Sequence, residues 1–337
     1  MDKVARLPAQ QRSELFLEAA AQKSTTPAVV EKDFWVTWVL NRLFQEPDLA
    51  RLLMFKGGTS LSKVYNLIER FSEDIDLVLD WRILGGDDPL AERSKTKQAQ
   101  LNATLNEQAQ KYIGGELLRM VESALDNVCD CRVDDDPFVI DINYPAAFPD
   151  NYLRSEVRLE IGPLASWLPY EQRSISCYAA EVFPDVFEQR ECPVRVIKAE
   201  RTFWEKATIL HHEAHRPEGS PQPPRYSRHY YDLAKMIQSP VKEKALTDPE
   251  LLASVVAFKQ RFYPRDWARY DLAKPGTLVL VPEGHVLASV RSDYRAMENM
   301  IFGEMPHIDQ ILEVLQTLQE EISALCLDSV PRCSPDN

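Results

Sequence analysis

The sequence predicts an α+β chain, a mixed sheet with flanking helices followed by a mainly helical C-terminal lobe. Three observations predict it. Short segments around residues 74–80, 138–144 and 157–161 alternate apolar and polar residues, the period of strands with one buried face. Helical apolar spacing brackets them, and beyond residue 195 it replaces the strand pattern. With 337 residues the chain exceeds the usual size of a single domain. The boundary is expected near Arg195, giving a core with N-terminal helices at 1–194 and a second lobe at 195–337.

Taken in order, Thr26 is a good N-cap before Pro27, and VVEKDFWVTWVLNRLF continues as a helix. Leu52 to Phe55 is a short apolar run suited to a first strand. It ends at Gly57-Gly58. Leu61, Val64, Tyr65, Ile68 and Phe71 then mark one face of an expected helix, and DIDLVLD alternates as a strand. LGGDD at 84–88 reads as a loop, residues 91–127 as a long helix, and FVIDINY and VRLEI as further strands. Prolines 163, 169, 184 and 193 suggest closing strands and a crossover to the second lobe. There, HRPEGSPQPPRYS at 215–227 is a loop by composition. Ile308, Ile311, Leu315, Leu318, Ile322 and Leu325 form a heptad-like seam, expected to pack on that lobe. SVPRCSPDN at the end is expected to fray.

Composition excludes several classes. Hydrophobic residues make up 45% of the chain and charged residues 27%, which suits a folded globular protein. No apolar run approaches the ~20 residues that span a bilayer, and the first residues lack a secretory apolar segment, so no membrane association and a cytoplasmic location are expected. Cys129, Cys131, Cys177, Cys192, Cys326 and Cys333 are scattered, as reduced thiols are. A net charge of −13 disfavours phosphate binding over the whole surface. Residues 195–235, however, carry eight Lys/Arg against five Asp/Glu, with four of the six histidines. KQRFYPRDWARYDLAK at 259–274 interleaves five basic residues with Phe262, Tyr263, Trp267 and Tyr270, either to stack bases or to pack its aromatics inward.

The chemistry concentrates in KGGTSLSKVYNLIERFSEDIDLVLD, residues 56–80. Gly57 and Gly58 permit close backbone approach to a ligand, and Thr59 and Ser60 place hydroxyls at a helix start that favours phosphate. Asp74 and Asp76, two apart on a strand, share one face, where they would hold a divalent metal beside bound phosphates. Two metals would need a third carboxylate from a neighbouring strand, and both Glu160 and Asp141 alternate with core residues as required. Lys63 and Arg228 are further candidates for phosphate contact. His211, His212 and His215 lack the His-Glu-x-x-His order of a zinc protease helix, and read as a helix end.

Glycine-hydroxyl followed by Asp-x-Asp resembles the DNA polymerase beta type nucleotidyltransferases. The wording of residues 56–77, with VEKDFW, ERTFWEKATILHH and RHYYDL, resembles the AbiEii/AbiGii nucleotidyltransferase toxin family from about Val30 to Met236. The resemblance implies a metal-dependent nucleotidyltransferase using Mg²⁺ or Mn²⁺ and an NTP donor. It implies an RNA acceptor, tRNA in related toxins, and a cognate antitoxin. It favours Glu160 as third carboxylate, and it marks Lys206 as a cation for the triphosphate and Asp232 as either a general base or the residue that orients Lys206. Transfer to a small alcohol, as in antibiotic modification, and binding of nucleotide or RNA without transfer are the alternatives.

Overall fold

A computed structural model describes residues 1–70, 72, 74–149, 153–297, 300, 301 and 305–328. Its contacts divide the chain into two units, Met1–Tyr65 with Ser72–Lys198, and Asn66–Phe71 with Ala199–Asn337. The short segment before the Asp-x-Asp strand therefore belongs to the second unit. Arg195 to Lys198 belong to the first.

The first unit has helices α1 (Asp2–Ala5), α2 (Ala9–Lys23), α3 (Pro27–Gln45) and α4 (Pro47–Leu52), then β1 (Leu53–Lys56), α5 (Gly57–Lys63) and β2 (Asp74–Leu79). It continues through α6 (Lys95–Tyr112), α7 (Leu118–Leu125), β3 (Asp130–Val133), β4 (Val139–Asn143), β5 (Glu156–Gly162), β6 (Tyr170–Ser176), α8 (Tyr178–Val182) and β7 (Glu191–Ile197). Among the described residues seven strands form one mixed sheet in the order β3-β4-β5-β2-β1-β7-β6. β2 runs parallel to β5 and antiparallel to β1, and β1 runs parallel to β7. Phe55, Ile75, Leu77, Leu159, Ile161, Ile140 and Val196 project from one face into the main core. That core is closed by Phe16 of α2, Phe34, Trp35 and Trp38 of α3, and Val121 of α7.

Thr26 caps α3 as its sequence predicts, its hydroxyl accepting from Val29 N at 3.3 Å. The helix is unusual in burying three consecutive charges, Glu31, Lys32 and Asp33. Each closes a different loop. Glu31 accepts from the backbone N–H groups of Ala147 and Phe148, and Lys32 donates to the carbonyls of Arg154 and Glu156. Asp33 accepts from Tyr178 N at 2.7 Å and pairs with Lys63 at 2.5 Å.

Several expectations are corrected. The helix after Gly57-Gly58 ends at Lys63 because Asn66 takes a left-handed conformation (φ 49°) that stops it. Ile68 thus lies outside it, and Phe71 is outside the described residues. The long helix expected over 91–127 starts at Lys95, opens into a wide turn at Ile113–Leu117, where Gly114 and Gly115 sit, and ends at Leu125 before Asp126 and Asn127, both at positive φ. The closing strands suggested by the prolines are β6 and β7, an antiparallel pair. Cys129, Cys131, Cys177 and Cys192 are free thiols, each pushed by burial up to about 12. Cys333 and the expected frayed tail lie outside the described residues.

The second unit contains α9 (Ala199–Ala214), α10 (Arg228–Ile237), α11 (Val241–Leu246), α12 (Pro249–Phe262), α13 (Gly284–Ala296) and α14 (Ile308–Asp328). α9 packs against α10, α11 and α12, burying Phe203, Trp204, Leu210, Tyr230 and Val255. The seam of α14 is used as expected. Ile311, Leu315, Leu318 and Ile322 are buried, with α10 as the partner helix. Among the described residues no helix is long and apolar enough to cross a membrane.

The Lys63–Asp33 pair joins α5 to α3 with both side chains almost fully buried. Removing one member of a buried pair leaves an uncompensated charge, so Lys63→Met should lower unfolding free energy by about 3–5 kcal/mol, measured by urea denaturation.

Candidate functional site

Alternation along β2 decides which side chains reach the open face. Ile75, Leu77 and Leu79 enter the core, so Asp74 and Asp76 stand on the opposite face. Asp76 lies in register with Lys56 of β1 and with Glu160 of β5, and Asp74 with Arg158. Farther along the same face Met54, Val78 and Ile197 form a small apolar cluster under Trp167. Gly57 sits directly against Asp76. Its φ of +79° favours glycine, and an added Cβ would lie 2.5 Å from Asp76 Cγ and 2.8 Å from its Cβ. The turn therefore needs glycine for two independent reasons, and one of them is the carboxylate itself.

The neighbouring hydroxyls face inward. Thr59 donates toward Ser72 and the Asp74 carbonyl, tying α5 to the start of β2, and Ser60 donates to the Gly57 carbonyl at 2.8 Å. Both residues are buried, so what the turn exposes is backbone at the half-buried Gly57 and Gly58. Lys63, expected at phosphate, instead donates to Asp33 and to the Ser176 carbonyl at 2.7 Å. It supports the fold.

The strand register separates the two candidates for a third carboxylate. Glu160 is exposed and adjacent to Asp76. Asp141 is fully buried opposite Arg158, with Arg132 at 3.2 Å, and burial followed by the nearby Asp134 pushes its carboxyl up. Asp74, Asp76 and Glu160 would offer only oxygen donors, the kind that suits Mg²⁺ or Mn²⁺. Among the described residues no three His, Cys, Asp or Glu side chains gather closely enough to enclose an ion unaided. Mg²⁺ does not require that, since one or two carboxylates with substrate phosphates and water complete its shell.

Lys206 on α9 and Asp232 on α10 meet within the second unit, 2.6 Å apart from Nζ to Oδ2. Arg70, which the sequence reading passed over, grips the same carboxylate with two bonds, Nε to Oδ1 at 2.6 Å and Nη2 to Oδ2 at 2.8 Å. All three side chains are buried. Burial alone would raise the Asp232 carboxyl, but Arg70 and Lys206 hold it far below the ordinary carboxylate value. Burial lowers the Lys206 ammonium against the pull of Asp232, and Arg70 lowers it further. His229 lies 3.4 Å from Lys206 through Nδ1. Since an ammonium only donates, that nitrogen accepts and the proton sits on Nε2. Burial, then Lys206 and Arg228, keep this imidazole neutral. Arg228 begins α10, half-buried. No local pattern flagged Arg70 or His229, because their partners are 162 and 23 residues away.

His211 and His212 are engaged in structure. His211 takes a bond from Val279 N and lies 2.9 Å from the Arg269 carbonyl, and burial lowers its pKa to about 4. His212 Nε2 lies 2.9 Å from Glu213, which Arg216 also grips with two bonds. In the basic aromatic segment, Phe262 and Tyr270 are buried and Trp267 lies beneath Arg216 and Arg265, while Tyr263 is exposed.

Gly57→Ala, strained at φ +79° and clashing with Asp76, should lower the melting temperature, and it should also abolish any further rise on adding Mg²⁺ and NTP that the parent protein shows, measured by thermal melts with and without both. The buried neutral His211 adds a pH dependence. The unfolded chain binds its proton near pH 6.5 and the folded chain only near 4, so stability is full above 6.5 and falls by roughly 3 kcal/mol as pH drops through that window. Urea titrations at pH 7.5 and 4.5 should show that loss, and His211→Gln should show less of it.

The profile described as nucleotidyl transferase AbiEii toxin, type IV TA system, matches residues 38–314. No curated protein sequence matches the chain. Similar solved structures include MenT4, a nucleotidyltransferase toxin from Mycobacterium tuberculosis H37Rv, at 14% identity and a TM-score of 0.42, covering 93% of this chain and 99% of that one. Another is JHP933 from Helicobacter pylori, at 15% identity and a TM-score of 0.32, covering 88% and 97%. The matched profile spans the greater part of the sequence, including the glycine turn, the Asp-x-Asp strand, Lys206 and Asp232, and the chain accordingly belongs to the AbiEii nucleotidyl transferase toxin family of type IV toxin–antitoxin systems.

Proposed function

We propose that this nucleotidyltransferase moves a nucleotide from an NTP to an RNA acceptor, tRNA, with Mg²⁺ or Mn²⁺. It acts in the cytoplasm and blocks translation unless a cognate antitoxin counteracts it. The observation that carries the transfer reading is the packing of Gly57 on Asp76, which sets a turn without side chains against one carboxylate of the Asp-x-Asp pair. Phosphate needs close backbone approach, and a divalent ion needs a carboxylate beside it.

Asp74 and Asp76 would hold the ion, with Glu160 next in register as the third carboxylate. When bound, the ion neutralises charge on the phosphate oxygens. The backbone at Gly57 and Gly58 lines the triphosphate, and the acceptor hydroxyl attacks the α-phosphorus in line with departing pyrophosphate. Lys206 neutralises the triphosphate or the leaving pyrophosphate, with Arg228 as a second cation. Asp232 fits the orienting role better than that of general base. Both its oxygens already accept from cations, and a carboxylate held so acidic is a poor proton acceptor.

Purified protein, Mg²⁺, each α-labelled NTP and total bacterial tRNA make the decisive assay. Labelled tRNA is expected with the parent protein. Asp76→Asn should reduce transfer at least ~1,000-fold, the several kcal/mol that a lost metal ligand removes from transition-state stabilisation. Glu160→Gln should reduce it more than Asp141→Asn. Label appearing on an aminoglycoside and not on tRNA would replace the acceptor, and label on neither with every NTP would sink the proposal.

A further inference from the structure

We infer that Arg70 is a positioning residue of the transfer reaction, acting on Lys206 through the carboxylate they share on Asp232. The inference rests on the role proposed for Lys206. A lone Lys–Asp pair would be a poor grip on phosphate, because the carboxylate would cancel the charge offered to the ligand. Arg70 changes that. Its planar fork takes both oxygens of Asp232, fixing the carboxylate plane and so the direction in which Oδ2 meets the Lys206 ammonium. It also sets a second positive charge against the carboxylate, so Lys206 does not neutralise Asp232 alone. His229 completes the arrangement by accepting from the same ammonium at 3.4 Å.

Among the described residues, the charged and titratable groups that face Lys206 are Asp232, His229 and Arg228 from α10 and Arg70 from the segment before β2. Basic groups from the other packed helices turn elsewhere on α9. Lys244 of α11 lies 3.9 Å from Glu200, and Lys259 of α12 donates to the Glu205 carbonyl. Arg70 and Asp232 therefore act on Lys206 with opposite sign. Removing the arginine favours the protonated ammonium, and removing the carboxylate disfavours it.

The test is the pH dependence of kcat/KM for transfer to total tRNA from the NTP that the parent uses best. The ratio of kcat/KM at pH 9.5 to that at pH 7.5 should rise at least ~3-fold in Arg70→Gln and fall at least ~3-fold in Asp232→Asn, each relative to the parent. Arg70→Lys, which restores a cation, should return the ratio toward the parent value. A structural contact alone predicts lower activity and melting temperature with the ratio unchanged in every variant, and that result overturns the inference. If one variant fails to fold, the other decides by the sign of its shift. Lys206→Gln separates the layers. Full transfer by that variant removes the role of Lys206 and the inference with it, whereas loss of transfer combined with an unmoved ratio in Arg70→Gln removes the inference alone.

Discussion

The parallel register of β2 with β5 is the constraint on which the first unit depends. Two strands in the middle of the sheet each bury alternate residues, and the pairing of Ile75 with Leu159 and Leu77 with Ile161 sets these four side chains into the main core. A slip of β2 by one residue would send Asp74 and Asp76 into that core, expose Ile75 and Leu77, and take both carboxylates away from Glu160. Hydrophobic packing on one face thereby holds the acidic residues of the other in line. The placement of Asp76 next to Glu160 is a by-product of burying their neighbours. Gly57 then closes the arrangement from the adjacent turn, where only a residue without a side chain leaves Asp76 its room.

The second unit meets the problem that α3 poses in the first. It buries charge, and it does so by giving each carboxylate more than one partner. Asp232 receives Arg70 and Lys206, while Glu213 receives Arg216, His212 and Gln222, and against the upward push of burial His212 and Arg216 bring it to about 2. Multiple charge-assisted bonds compensate the desolvation that a single pair would leave unmet. The outcome is a group of polar side chains held as firmly as an apolar core.

Much of this was legible because it is local. The alternation in DIDLVLD, the N-cap at Thr26 and the seam of α14 are patterns of near neighbours, and each element forms where its pattern stands. The family wording carried Lys206 and Asp232, which helical spacing alone would leave as surface residues. What stayed hidden was long-range. Lys63 reads as an exposed lysine one turn after a phosphate-type loop, yet its partner is 30 residues upstream. Arg70 seemed to lie on a helix that Asn66 had already ended. The short edge strand β3 alternates only weakly, and β7 carries Pro193, so periodicity gives little to read in either.

The three buried charges of α3 set a condition on the order of assembly. Asp33 meets Lys63 after 30 residues, but the backbone groups that these charges bind stand 116 to 145 residues further along the chain and are absent when the helix first emerges from the ribosome. At ~5–20 residues per second, synthesis leaves Glu31 and Lys32 without those backbone groups for roughly 6 to 25 seconds. A hydrated Glu-Lys-Asp run interrupts the apolar surface of Phe34, Trp35 and Trp38 throughout that interval. The buried contacts of α3 are thus complete only once the chain beyond Tyr178 has been made.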